Sequence, residues 1–165
     1  MMQIGEAFIG SGPNAAHINT VLGDRSGPVG VAWATALATP STGHAAFLAV
    51  AQPGVAVVPP TVFVNKAAIE GERHGTMTWG PAQAGVANGV ARALEDGVID
   101  ASHVTNLILI AAVWVNPAAD DTEAVFENNA EATLFALRAG RDGLPTLAEA
   151  LAAGNDPWNP FFRAP

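Results

Sequence analysis

Four histidines, His17, His44, His74 and His103, are the side chains of this 165-residue chain best suited to proton transfer, because imidazole titrates near neutral pH without help from its surroundings. No two of them stand four apart as ligands on a helix would, and no His-Glu-x-x-His stretch occurs. The spacing carries no zinc signature, and no metal is expected. His17 opens the segment His17-Ile18-Asn19-Thr20-Val21-Leu22. As a strand, this segment puts His17, Asn19 and Val21 on one face. A strand histidine is commonly a hydrogen-bonded structural group. The Gly10-Ser11-Gly12 turn before it, with Asn19 on the same face, tilts this one toward a site. Lys66 is the only lysine, beside six arginines. It reads either as a surface group or as a contact for an anion or a carbonyl. The glycines at 10 and 12 lack the Lys-Ser/Thr of a phosphate loop and the later glycine of a dinucleotide fingerprint, so a plain turn is expected. Glu6, Asp24, Asp120 and Asp121 could supply paired carboxylates, and each reads equally well as a solvated turn or helix-start residue.

Strands and helices must position these groups. Met2 to Ile9 reads as a strand ended by Gly10-Ser11-Gly12-Pro13-Asn14, and His17 to Leu22 as a second. Val29 to Ala38 reads as a helix, with Pro28 at its start and Val29, Trp33 and Leu37 repeating at helical spacing. Strands are expected over Ala45 to Ala51 and Thr61 to Lys66. Gly80-Pro81 opens a helix to about Glu95, striped by Val86, Val90, Ala93 and Leu94. Asn106 to Trp114 is the most hydrophobic strand and belongs at the centre of the sheet. A long helix from Asp120 to Ala139 begins with acids, which suit its positive end, and carries Phe126, Ala130, Leu134 and Leu137 on one stripe. Beyond Arg141 a short helix over Leu147 to Ala152 is expected. The aromatic end, Trp158-Asn159-Pro160-Phe161-Phe162, should dock on a surface. There are no repeats, so the reading is one α/β domain over 1–165.

Composition narrows the partners. Half the residues are hydrophobic and 13% are charged, enough to bury a core and far from a disordered composition. The net charge of −8 argues against nucleic acid or an anionic membrane as partner. With no cysteine, disulfides, thiolate nucleophiles and cysteine-held metals are excluded. Met1 to Gly10 has no basic start and does not read as a signal peptide. The longest apolar run, Leu107 to Val115, is about half of a membrane helix. The expectation is a soluble, cytoplasmic protein.

The segment Ile4-Gly5-Glu6-Ala7-Phe8-Ile9-Gly10, followed by Ala16-His17-Ile18-Asn19, resembles the start of the formaldehyde-activating enzyme family. Further segments match in order and spacing: Phe47-Leu48-Ala49-Val50, Phe63-Val64-Asn65-Lys66, Gly80-Pro81-Ala82-Gln83-Ala84-Gly85-Val86-Ala87, Ala118-Ala119-Asp120-Asp121 and Asn129-Ala130-Glu131-Ala132-Thr133. The resemblance runs from about 4 to 140, the expected core, and the tail over 141–165 adds nothing to it. It implies a two-layer α/β sandwich, similar to the GHMP-kinase and small-subunit ribosomal protein domain superfamily. It also implies a cytoplasmic homopentamer with sites between neighbouring subunits. The implied activity is that of a carbon–oxygen hydro-lyase in one-carbon metabolism and formaldehyde detoxification, joining formaldehyde to the co-substrate tetrahydromethanopterin to give the methylene derivative and water.

Carried over residue by residue, the resemblance places the catalytic histidine on His17 and the pterin contacts on Asn19, Leu48, Lys66, Ala68 and Gln83. Three positions depart from the family pattern: Asn19 replaces an aspartate, Ala68 a threonine and Ala84 a second histidine. Asn19 can hydrogen-bond but offers no charge to the imidazole. The chemistry suits the residues that remain. A pterin amine adds to formaldehyde to give a carbinolamine, whose hydroxyl must be protonated to leave as water, and His17 is the candidate acid. The second pterin nitrogen closes the ring, aided by being held close. The resemblance would put Leu48 on the ring face, the Gln83 amide at the pterin's polar edge, and Lys66 at an anionic or carbonyl oxygen. An extended strand would aim Lys66 and Ala68 the same way, and arginines should join Lys66 at the mouth. Two rival readings are a non-catalytic pterin- or aldehyde-binding paralogue, acting as sensor or carrier, and a same-scaffold enzyme for another amine or carbonyl.

Overall fold

A computed structural model describes residues 1–163. In chain order the strands are β1 (Met2–Ile9), β2 (Ala16–Asp24), β3 (Phe47–Leu48), β4 (Val50–Gln52), β5 (Val55–Ala56), β6 (Thr61–Asn65) and β7 (Leu107–Trp114), followed by β8 (Trp158–Asn159) and β9 (Phe162–Arg163). The helices are α1 (Pro28–Ala38), α2 (Gly71–Met77), α3 (Gln83–Glu95), α4 (Thr122–Asp142) and α5 (Leu147–Gly154). The main sheet has the order β1-β2-β7-β6-β3, with the most hydrophobic strand at its centre as expected. It is mixed, because β6 and β7 pair in parallel and the other neighbours are antiparallel. That parallel pair needs a long crossover, and α2 and α3 form it.

Strand alternation divides the sheet into two different faces. Ala7, Ile18, Leu22, Leu109, Ala111, Val113 and Phe63 point to one side and form the core with Val86, Val90 and Ala93 of α3 and Leu134 and Leu137 of α4. The helices lie close on this face. A Cβ at Gly5 of β1 would sit 1.7 Å from the Ala136 carbonyl oxygen of α4, so only glycine allows that approach. The opposite face carries Ile4, Glu6, Phe8, His17, Asn19, Ala112 and Trp114 by register. Helix α1 covers one end of it, through buried Val29 against Gly23 at the far end of β2. The half that bears His17 lies beside the end of the chain and stays partly exposed.

Four local expectations are corrected. The strand foreseen over Ala45 to Ala51 divides, since Phe47–Leu48 pairs with β6 while Val50–Gln52 turns away to pair with β5. Buried Ala49 sits at the switch, donating to Thr61 O at 2.9 Å and accepting from Val57 N at 3.0 Å. The helix foreseen to open at Gly80-Pro81 begins at Gly71 instead. Helix α2 continues through a widened π turn, Thr78–Ala82, directly into α3. Pro81 has no N–H to donate, and the widened turn carries the helix past it rather than starting it. Strand β6 stops at Asn65, where the Asn65 amide donates to Gly43 O and Ala67 O at 2.8 Å each. Lys66 and Ala68 therefore lie on a bend and do not share a strand face. Finally, Phe126 is only half-buried, and Val125 takes the core position in its stead.

The acids at the start of α4 serve its positive end as expected, whereas its other end runs past the expected Ala139 to Asp142. The Asp121 carboxylate accepts from the Glu123 and Ala124 N–H groups at 3.0 Å each, and Gly143 ends α4 in the left-handed conformation at φ 67°. Asn14, in the turn between β1 and β2, accepts from Asp120 N at 2.9 Å and Asp121 N at 3.1 Å. The turn that leads to His17 is thus fixed to the start of α4.

Candidate active site

His17 is the second residue of β2. It lies opposite Phe8 of β1 on one side and Trp114 of β7 on the other. Glu6 lies opposite Asn19, one same-face step along, so its side chain reaches His17 on the diagonal. Glu6 Oε1 is 2.9 Å from His17 Nε2, with 58% and 41% of the two side chains exposed. The uncharged Asn19 thus does not leave the imidazole without a carboxylate neighbour, because the adjacent strand supplies one. Phe8 tilts against the imidazole with ring centres 5.9 Å apart. The tail completes the surroundings: Phe161 meets Trp114 edge-on at 5.5 Å. Glu6, Phe8, His17, Trp158, Asn159, Pro160 and Phe161 together line a cleft of about 530 Å³. The aromatic end thus lies beside His17 and touches the sheet through Phe161, while Trp158, Phe161 and Phe162 stay 64%, 74% and 60% exposed, a looser contact than the expected docking.

Leu48 and Gln83 meet elsewhere, in a cleft of about 450 Å³ lined also by Ala45, Phe47, Val50 and Trp79. The π turn places Trp79 one helical turn before Gln83, on the same side. Buried Gln83 accepts the Val50 N–H at 2.6 Å through Oε1. An N–H must meet an acceptor, which settles the amide's orientation and leaves its NH₂ as a donor only. Strands β2 and β3 are three strand spacings apart, roughly 14 Å. One chain therefore does not bring His17 and the Leu48–Gln83 pair together.

Lys66 lies nearer His17. Its N–H donates to Val113 O at 2.7 Å, beside Trp114, and its side chain is exposed. Ala68 is exposed and packs by Gly43. Of the arginines, Arg163 lies 6.0 Å over Trp158 on the tail side of the His17 cleft, whereas Arg138 pairs with Asp96 and Arg141 with Asp142.

The remaining histidines are structural or capping groups. His74 is buried, accepting from Glu70 N at 3.0 Å through Nδ1, which leaves Nε2–H to donate to Val115 O at 3.0 Å. His44 Nδ1 meets Asn65 O at 2.9 Å. His103 joins Asp100 and Ser102 beside a third hollow, at the other end of the sheet. Its Nδ1 meets both Asp100 at 2.7 Å and Ser102 at 3.1 Å. A relay needs partners on opposite nitrogens, so this cluster is a cap on a short turn. Hydrogen bonds from Ser102, then His103, push the exposed Asp100 carboxyl down to about 2. Among the described residues, no three His, Asp or Glu side chains gather as a metal site would.

Residues 4–162 match the formaldehyde-activating enzyme family. The chain belongs to that family. It is 40% identical over 158 residues to the 5,6,7,8-tetrahydromethanopterin hydro-lyase of Methanosarcina barkeri, spanning 96% of this chain and 89% of that protein. It is also 40% identical over 147 residues to a bifunctional enzyme Fae/Hps of Methanococcoides burtonii, and 37% identical over 151 residues to one of Methanothrix thermoacetophila. Of these two longer proteins the chain spans only 37% and 38%. The match to the formaldehyde-activating enzyme family passes well beyond Gly140, so the tail that the motifs left aside belongs to the family pattern too. Reading the sequence missed the pairing of Glu6 with His17, the roles of Phe8 and Trp79 as cleft walls, and the contact of Trp114 with Phe161. A signal for Glu6 was present: it stands mid-strand between Ile4 and Phe8, on one face with them, where a turn carboxylate does not belong.

Proposed function

We propose that the chain condenses formaldehyde with tetrahydromethanopterin, or a related reduced pterin, to the methylene derivative and water. The observation that carries this reading is His17, present where the family's catalytic histidine falls, open to solvent and 2.9 Å from a carboxylate in an aromatic cleft. The name of the Methanosarcina barkeri relative supports the substrate and the hydro-lyase class. His17 acts as general acid: it protonates the carbinolamine hydroxyl, which leaves as water, and the second pterin nitrogen closes the ring on the resulting iminium. Leu48 packs on the ring, the Gln83 NH₂ donates to a pterin acceptor, and Asn19, Lys66 and Ala68 complete the pterin contacts.

The separation of the two clefts supports sites built between neighbouring subunits, in which the His17 cleft of one copy faces the Leu48–Gln83 cleft of the next. A ring, most simply a pentamer, provides such repeated contacts. The chain acts as one domain related to the GHMP-kinase and ribosomal-protein superfamily, and works in the cytoplasm in one-carbon metabolism and formaldehyde detoxification. No helix among the described residues is long and apolar enough to cross a membrane. Stopped-flow mixing of protein, tetrahydromethanopterin and formaldehyde tests the reading. The expected result is condensation well above the spontaneous rate. Tight pterin binding without acceleration would reassign the chain as a carrier or sensor.

A further inference from the structure

The reaction assigned above passes through a cation, and the cleft holds one carboxylate placed to meet it. When the carbinolamine R₂N–CH₂OH takes a proton from the His17 imidazolium, the C–O bond breaks and water leaves. The nitrogen lone pair forms the C=N bond, giving R₂N⁺=CH₂ and neutral imidazole. Positive charge has moved from the histidine to the iminium without crossing to solvent. In the last step the second pterin nitrogen attacks the CH₂ carbon, and the proton it sheds returns to His17. Formaldehyde and two N–H groups have become one methylene bridge and one water.

We infer that Glu6 is a catalytic residue of this sequence, the fixed counter-ion first of protonated His17 and then of the iminium. Three observations carry it, and the inference rests on the proposed reaction. Glu6 Oε1 lies 2.9 Å from His17 Nε2, so the carboxylate pairs with the protonated ring on one side while Nδ1–H delivers the proton from the other, and the cation forms one imidazole ring away from the carboxylate, close enough for Coulomb attraction. The same carboxylate lines the cleft beside Phe8, Trp158 and Phe161, rings whose negative faces favour a cation. Glu6 is the only carboxylate among the described residues that line the cleft. A carboxylate placed in advance favours the cationic state over the neutral carbinolamine, the condition for lowering the barrier rather than only binding substrate.

Glu6→Gln separates charge from shape, because the amide still reaches the imidazole. The experiment compares wild type, Glu6→Gln and Glu6→Asp by steady-state and stopped-flow condensation of tetrahydromethanopterin with formaldehyde. Glu6→Gln is expected to lower kcat by roughly 10²- to 10³-fold while the pterin KM changes little. Glu6→Asp, which keeps the charge one methylene shorter, should recover part of that loss. A Glu6→Gln enzyme as fast as wild type overturns the inference and leaves the proposed reaction standing. So does a loss carried wholly by KM, or a Glu6→Asp enzyme no better than Glu6→Gln. A wild-type chain that does not accelerate the condensation overturns both.

Discussion

At His17 the chemistry depends on what surrounds the ring. The Glu6 carboxylate holds one nitrogen at 2.9 Å, and Phe8 packs on the ring at 5.9 Å. Replacing His17 by Ala should therefore leave the fold intact, since the side chain is half-exposed and its partner can return to water. The catalysed rate should fall by roughly 10²- to 10⁴-fold, the usual range for a general acid. Single-turnover rates alongside pterin affinity and thermal melting check this, and a variant that keeps the parent rate removes His17 from the mechanism. Gln83 behaves differently because it is 7% exposed and accepts from Val50 N. Gln83→Ala removes a buried acceptor and the donor facing the second cleft. It should cost about 1–3 kcal/mol of stability and raise the pterin KM more than it lowers kcat. Urea titration and steady-state kinetics read the two effects separately.

At the scale of elements, the site depends on how closely α4 approaches β1. The Gly5 to Ala136 contact leaves no room for a methyl group, and Gly89 of α3 makes a similar approach to the Ala130 carbonyl of α4, at 2.5 Å for a hypothetical Cβ. Gly5→Ala should force β1 away from α4 and cost about 3 kcal/mol or more, at the upper end of overpacking effects. It should also slow the enzyme, because β1 carries Glu6 and Phe8. Chemical denaturation with an activity assay checks both, and a variant as stable as the parent would show that strand and helix can separate freely. The α2–π–α3 segment has a comparable role at the other cleft. Thr78–Ala82 widens the helix around Pro81 and sets Trp79 beside Gln83 and Leu48.

At the scale of the whole molecule, the surface is more apolar than one chain needs. Helix α5 has no buried residue, and its Leu147 and Leu151 are 77% and 63% exposed. Trp158 and Phe161 beyond it are 64% and 74% exposed even with Phe161 against Trp114. We propose that these exposed apolar side chains meet a neighbouring copy, since large exposed apolar groups commonly serve as contacts between molecules. Light scattering at micromolar concentration should therefore give the mass of a closed ring, with a pentamer as the specific expectation. A monomer would undo the shared-site arrangement, since His17 and Gln83 would have no partner copy to bring them together. Replacing Leu147 and Leu151 by Ser should lower the assembly state without unfolding the core, because both side chains are largely exposed and neither belongs to the core.

What the sequence determined by itself lies in its local periodicities and caps. Alternation set His17 and Asn19 on one face of β2, the apolar run of β7 placed it at the centre of the sheet, and the acids around Asp121 marked the start of α4. The motifs around His17, Lys66 and Gln83 were likewise sufficient to recognise the family. Tertiary structure alone decided three things. Glu6 meets His17 because the register of β1 on β2 makes them diagonal neighbours, although eleven residues of sequence separate them. The helix runs through Gly80-Pro81 because a π turn accommodates a proline that local propensity reads as a start. His17 and Gln83 stand in separate clefts because the order of strands is set by long-range pairing, and no pattern along the chain records how many strands lie between two residues.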